Sequence, residues 1–136
     1  MTQYIVPKVR TGRHVKVLVV DDDIRIRLLL TRLLTGWGYA VGHAGSAEEA
    51  LEVMTSEPAD ILLSDIAMPR HDGLWLLQQA RGRWPHTAIV MITAHQDAPT
   101  VQASRKMGAV GYVTKPIVAY MLREALERAL AQPDRR

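Results

Sequence analysis

Four short apolar runs, each ending on a charged or hydroxyl residue, limit what this chain can fold into. Val17–Val20 runs into Asp21-Asp22-Asp23, and Ile61–Ser64 into Asp65. Ile89–Ile92 runs into Thr93, and Val110–Thr114 into Lys115-Pro116. Runs this short, rich in Val and Ile and with little polar alternation, read as strands buried on both faces. In an open parallel sheet all strand carboxyl ends open onto one edge, where ligands bind at the topological switch point. The carboxylates, the hydroxyl and the ammonium are therefore expected in one crevice, despite their distance along the chain. An acidic cluster facing a hydroxyl and a lysine suits a divalent cation plus an anion such as a phosphoryl group.

The segments between these runs have helical patterns. Ile24 to Leu34 carries Ile26, Leu29, Leu30, Leu33 and Leu34 on one apolar stripe, with Gly36 as a stop signal. A short strand is expected over Tyr39 to Ala44. Ser46-Ala47-Glu48-Glu49 is a capping box, in which the Ser46 hydroxyl accepts the Glu49 N–H and the Glu49 carboxylate returns the bond. Further helices are expected from Leu74 to about Trp84, from near Pro99 to Gly108, and from about Val118 to Ala131. Strands alternating with helices imply a parallel α/β sheet covered on both faces.

At 136 residues the chain fits one domain, expected over 15–131, with a flexible tail over 1–14 and a second over 132–136. It has no cysteine, which excludes disulfides, a cysteine nucleophile and Cys-ligated metal sites. No apolar stretch approaches the roughly 18 residues of a membrane span, so a cytoplasmic protein is the expectation. The net charge of +3 gathers at the ends, in Lys8, Arg10, Arg13, Lys16, Arg135 and Arg136. No aromatic residues interleave these charges and every helix is needed to cover the sheet, so nucleic-acid binding is not expected.

In these motifs the chain resembles the receiver domain of bacterial two-component response regulators, over Lys16 to about Ala131. The matching elements are Val19-Val20-Asp21-Asp22, then Ser64-Asp65-Ile66-Ala67-Met68-Pro69 with Asp72-Gly73, then Thr93-Ala94, then Tyr112-Val113-Thr114-Lys115-Pro116. The resemblance implies a flavodoxin-like, doubly wound, five-stranded parallel sheet of order 2-1-3-4-5 with five helices. It implies that Asp65 accepts a phosphoryl group from a sensor histidine kinase or phosphotransfer protein. A carboxylate does this only when the phosphoryl charge is neutralised and held in line. Asp21 and Asp22 match the acidic pair that holds Mg²⁺ together with Asp65 and the backbone carbonyl at Ala67's position. Asp23 reads as a helix-start residue, since successive residues leaving a strand point apart.

Lys115 matches the lysine that pairs with the phosphoryl oxygens, and Thr93 the hydroxyl that hydrogen-bonds them. Pro116 matches a proline usually preceded by a cis peptide. Tyr112 matches an aromatic switch position; a tyrosine filling space at a strand edge is its alternative. Thr93 and Lys115 end the two strands that flank the fourth helix, so the signal is expected to leave through the fourth helix, fifth strand and fifth helix. Part of the apolar stripe of Met121, Leu122, Ala125, Leu126 and Ala129 there suits a symmetric homodimer or a partner. The chain departs from the family in having Ile117 after Lys-Pro and Arg105 in an ordinarily apolar helix position. Ala67 and His95 follow Asp65 and Thr93 by two residues, where side chains gate the hydrolytic water; an exposed loop residue without a role is the alternative for His95. No enzymatic activity is expected beyond Mg²⁺-dependent self-phosphorylation and self-dephosphorylation. Two rivals stand beside this reading: an aspartate-nucleophile phosphatase, and a degenerate receiver that only binds partners.

Overall fold

Burial on both faces decides the architecture, because alternate residues of each central strand need a separate apolar layer to enter. A computed structural model describes residues 9–10, 13–94 and 98–132. Five strands form one parallel sheet: β1 (Lys16–Val20), β2 (Ala40–Ala44), β3 (Ile61–Asp65), β4 (Ala88–Thr93) and β5 (Gly111–Thr114). Their order is β2-β1-β3-β4-β5, the doubly wound order expected. Val17, Val19, Ile61, Leu63, Val90 and Ile92 point to one layer, covered by Leu30 and Leu34 of α1 (Ile24–Gly36) and by Leu122 and Leu126 of α5 (Ala119–Leu130). Leu18, Val20, Leu62, Ile89 and Met91 point to the other. That layer is closed by Ala50 and Met54 of α2 (Ala47–Ser56) and by Leu76, Leu77 and Ala80 of α3 (Gly73–Arg83). The remaining helix, α4 (Ala98–Lys106), precedes Met107 and Ala109, which join the second layer.

Local chemistry sets the helix ends. Asp23 caps α1 by accepting the Arg25 N–H at 2.9 Å, and Asp72 caps α3 by accepting the Trp75 N–H at 2.9 Å. Ser46 caps α2 as expected, through the Glu49 N–H at 3.0 Å. The Glu49 carboxylate, however, returns its bond to Gly45 at 2.8 Å, not to Ser46. The stop of α1 also differs from the expectation: Gly36 is its last helical residue, and the left-handed turn falls on Gly38, with φ of 96°.

The α1 stripe is narrower than its period suggested. Leu29 is 41% exposed and lies outside the core, as do Ile24 and Leu28 at 47% and 57%. Within the stretch read as an N-terminal tail, Val9–Arg10 pairs antiparallel with Arg13–His14. The rest of 1–12, His95 and 133–136 lie outside the described residues. Among the described residues, no helix is long and apolar enough to cross a membrane.

Candidate functional site at the strand carboxyl ends

The three central strands bring the expected groups together. Asp21, Asp22 and Asp65 each place a carboxylate oxygen within 4.8 Å of the others. Asp21 is fully buried and Asp65 is 5% exposed, whereas Asp22 lies open to solvent. Lys115 reaches in from the end of β5, its Nζ 3.0 Å from Asp21 Oδ2 and 3.2 Å from Asp65 Oδ2. Its own backbone N–H donates to the Thr93 carbonyl at 2.9 Å, so the lysine and the threonine are positioned as a unit. Thr93 is 6% exposed at the end of β4, and the Lys115–Pro116 peptide is cis. Ala67 is exposed, and its backbone N–H donates to the Asp65 carboxylate.

Burial and charge oppose each other here. Burial pushes the Asp65 carboxyl above the usual aspartate range, and the Asp21 charge pushes it further; Lys115 and the Ala67 N–H pull it back only in part. Burial also works against the Lys115 ammonium, but its bond to Asp21 and the charges of Asp65 and Asp21 lift it above the ordinary lysine value. The cluster thus holds more negative charge than one ammonium balances. Its donor set is all oxygen and it carries excess negative charge, so it fits a hard divalent cation.

A consequence is testable without any ligand. The native state holds the Asp65 proton more tightly than the unfolded chain does. The metal-free protein should therefore lose stability as pH rises from the ordinary aspartate range, near 3.9, through the raised Asp65 value. Asp65→Asn removes that ionisation. Its melting temperature in EDTA at neutral pH should exceed the parent's by a few degrees, about 4 °C for each 1 kcal/mol relieved. A lower value would show that Lys115 already balances the cluster.

The sequence model of the response regulator receiver domain matches residues 17–127, almost the whole described sheet and its helices. The chain belongs to that family.

Its relatives place this receiver domain more closely. It is 36% identical over 121 residues to the transcriptional regulatory protein ZraR of Escherichia coli, and 42% identical over 98 residues to the DNA-binding transcriptional regulator NtrC of Klebsiella pneumoniae. These alignments cover 89% and 72% of the chain but only 27% and 21% of those proteins, so the chain spans about a quarter of their length. Among solved structures, chemotaxis protein CheY4 of Vibrio cholerae superposes with a TM-score of 0.81 at 32% identity, covering 85% of the chain and 98% of CheY4. The receiver domain of NtrX from Brucella abortus gives 0.81 at 32%, covering 86% and 99%. Neither rival reading finds support: the relatives are response regulators, and no expected acidic, hydroxyl or lysine position is missing.

Two features escaped the sequence. The first is the bonding of Tyr112 on the edge strand β5: its hydroxyl donates to the Val101 carbonyl at 3.0 Å and accepts from the buried Ser104 at 2.9 Å. Arg105 lies over the same ring, 5.2 Å from its centroid, which gives this departure from the family a local partner. The second feature is a clasp on the loop after Asp65. His71 bonds Glu48 of α2 and stacks on Trp75 at 3.8 Å. The bond from His71 holds the Glu48 carboxyl below the usual range.

Proposed function

We propose that this receiver domain is a phosphorylation-controlled switch whose acceptor is Asp65. The observation that carries the reading is the Lys115 ammonium shared between the Asp21 and Asp65 carboxylates, with the Asp22 carboxylate beside them. Asp21, Asp22, Asp65 and the Ala67 carbonyl would hold Mg²⁺, which when bound supplies the positive charge that lets an anionic nucleophile approach an anionic phosphoryl group. An Asp65 oxygen then forms the new O–P bond while the P–N bond of a phosphohistidine donor breaks. The leaving imidazole takes its proton from solvent. Lys115 passes from the Asp65 carboxylate to the incoming phosphoryl oxygens, and the Thr93 hydroxyl donates to another. The chain's catalysis extends to forming and hydrolysing this one bond on itself. A cytoplasmic location goes with this reading, because ATP-fed donors work there.

Two surfaces serve the reading. Ile24, Leu28 and Leu29 leave an exposed apolar strip on α1, which starts directly after the acidic run. That strip suits the helical face of a histidine kinase or phosphotransfer protein presenting its phosphohistidine to Asp65. On the other side, Thr93 and Tyr112 line one groove of about 310 Å³ with Met121, Glu124 and Arg128 of α5. Movement of Thr93 toward a phosphoryl group would change the seat of Tyr112, and with it the α4–β5–α5 face where a second copy would dock.

Beryllofluoride with Mg²⁺, which mimics the aspartyl phosphate, tests the switch. Backbone resonances over 93–130 should shift more than those over 46–56. Shifts confined to the loop after Asp65, with Tyr112 and α5 silent, would leave a phosphate carrier and no switch.

A further inference from the structure

Asp21 is the only fully buried carboxylate of the cluster, and its Oδ2 has no hydrogen-bond partner and meets only the Lys115 ammonium, as an ion pair. The Asp21 N–H donates to the Ala44 carbonyl at 3.2 Å, and Oδ1 accepts the Asp23 N–H at 2.8 Å. The remaining group, the carbonyl, accepts from Arg27 Nη1 at 2.7 Å. Arg27 lies one turn inside α1, and side chains on a helix lean toward its N-terminus, so a long side chain there folds back over the turn after β1. The guanidinium then lies against the β2–α2 loop. A Cβ on Gly45 would sit 3.1 Å from Arg27 Nη1, and Glu49 Oε1 lies 3.6 Å from the same point. Arg27 Nε is buried there with no hydrogen-bond partner, so the placement leaves one of its donors unused.

Arg27 bonds the turn that carries Asp21 and Asp22 and lies beside the loop after β2. Its guanidinium is bonded to the Asp21 backbone carbonyl, whereas Lys115 faces the carboxylate. Lys115 must leave the carboxylates when it grips a phosphoryl group; Arg27 need not. We propose that Arg27 is the positioning residue that keeps Asp21 aimed into the metal site, and that Gly45 gives its guanidinium room. The inference rests on the Mg²⁺ reading of the acidic cluster.

Mg²⁺ titration by calorimetry on the full chain tests it, with Arg27→Met, Arg27→Lys and, as a core truncation remote from Asp21, Ile89→Val. Arg27→Met keeps the length of the side chain and loses the donor; its Mg²⁺ dissociation constant should rise roughly tenfold, as for other residues that orient metal ligands. Arg27→Lys keeps one donor for the Asp21 carbonyl and should recover most of the affinity. Ile89→Val should bind as the parent does even where it melts earlier. Affinity in Arg27→Met within twofold of the parent overturns the inference, as does Arg27→Lys binding as weakly as Arg27→Met. A parent chain that takes up no Mg²⁺ overturns the metal reading itself, which is a separate and visible outcome.

Discussion

Lys115→Ala should separate two properties that usually move together: it should slow phosphorylation of the chain while tightening its hold on Mg²⁺. The ammonium sits between Asp21 and Asp65 at 3.0 and 3.2 Å, so in the metal-free state it is the counter-charge of both. Removing it leaves two carboxylates facing each other in a buried place. A fully buried pair broken in this way costs about 3–5 kcal/mol; the Lys115 side chain is 23% exposed, which brings the expected loss of metal-free stability nearer 2 kcal/mol. A divalent cation relieves more repulsion in the variant than in the parent, so the stabilisation on adding MgCl₂ should be larger. The reaction needs the ammonium for another purpose, which is to receive the phosphoryl oxygens as Asp65 attacks. Loss of one such charge should lower the rate from acetyl phosphate by roughly 10²-fold, even with the metal site filled. Melting curves with and without MgCl₂, beside a phosphorylation time course, measure both effects. A rate restored in full by saturating Mg²⁺ would reduce Lys115 to a structural counter-ion.

Gly73→Ala should be among the most damaging single methyl groups that can be added. The Cβ would stand 2.2 Å from the Asp65 carbonyl oxygen and 2.8 Å from the Ile66 Cα, both backbone atoms at the root of the site. Gly73 also closes the loop after β3 by donating its N–H to the Ile66 carbonyl at 2.7 Å. Space can be made only by moving α3 or the end of β3, and overpacking of this kind costs about 3 kcal/mol. The displacement falls on Asp65 itself. The variant should therefore melt about 10 °C lower and accept phosphate poorly at temperatures where it is still folded. The comparison is with Gly82→Ala in α3, where a Cβ meets nothing within 4 Å and the substitution should be neutral or mildly stabilising. Equal melting temperatures for the two variants would contradict the close packing of α3 on Asp65.

The difference between these glycines shows what the sequence makes legible. Val17–Val20, Ile61–Ser64 and Ile89–Ile92 announce buried strands through composition, and their terminal residues announce a shared edge through topology. Both follow from local chemistry, and the sheet order, the acidic trio, Thr93 and Lys115 fall where expected. The α1 stripe is narrower than its period predicts because a helical period cannot tell a core-facing leucine from one facing solvent; Leu29 is 41% exposed. Arg27 and Ser104 gave no signal at all. Their roles depend on contacts with Asp21 and Tyr112, made by side chains whose directions only the packed helices fix. Gly38, not Gly36, turns the chain after α1 because the turn follows the helix's last hydrogen bonds and not the first glycine available.

The most direct measurement is the position of the phosphoryl group. The chain should be incubated with acetyl phosphate and Mg²⁺, reduced with borohydride, which converts an aspartyl phosphate to homoserine, and digested for mass spectrometry. One modified residue is expected, at Asp65, absent when EDTA replaces Mg²⁺ and absent in Asp65→Asn. A phosphoryl group on Asp21 or Asp22, or undiminished labelling of Asp65→Asn, would contradict the account.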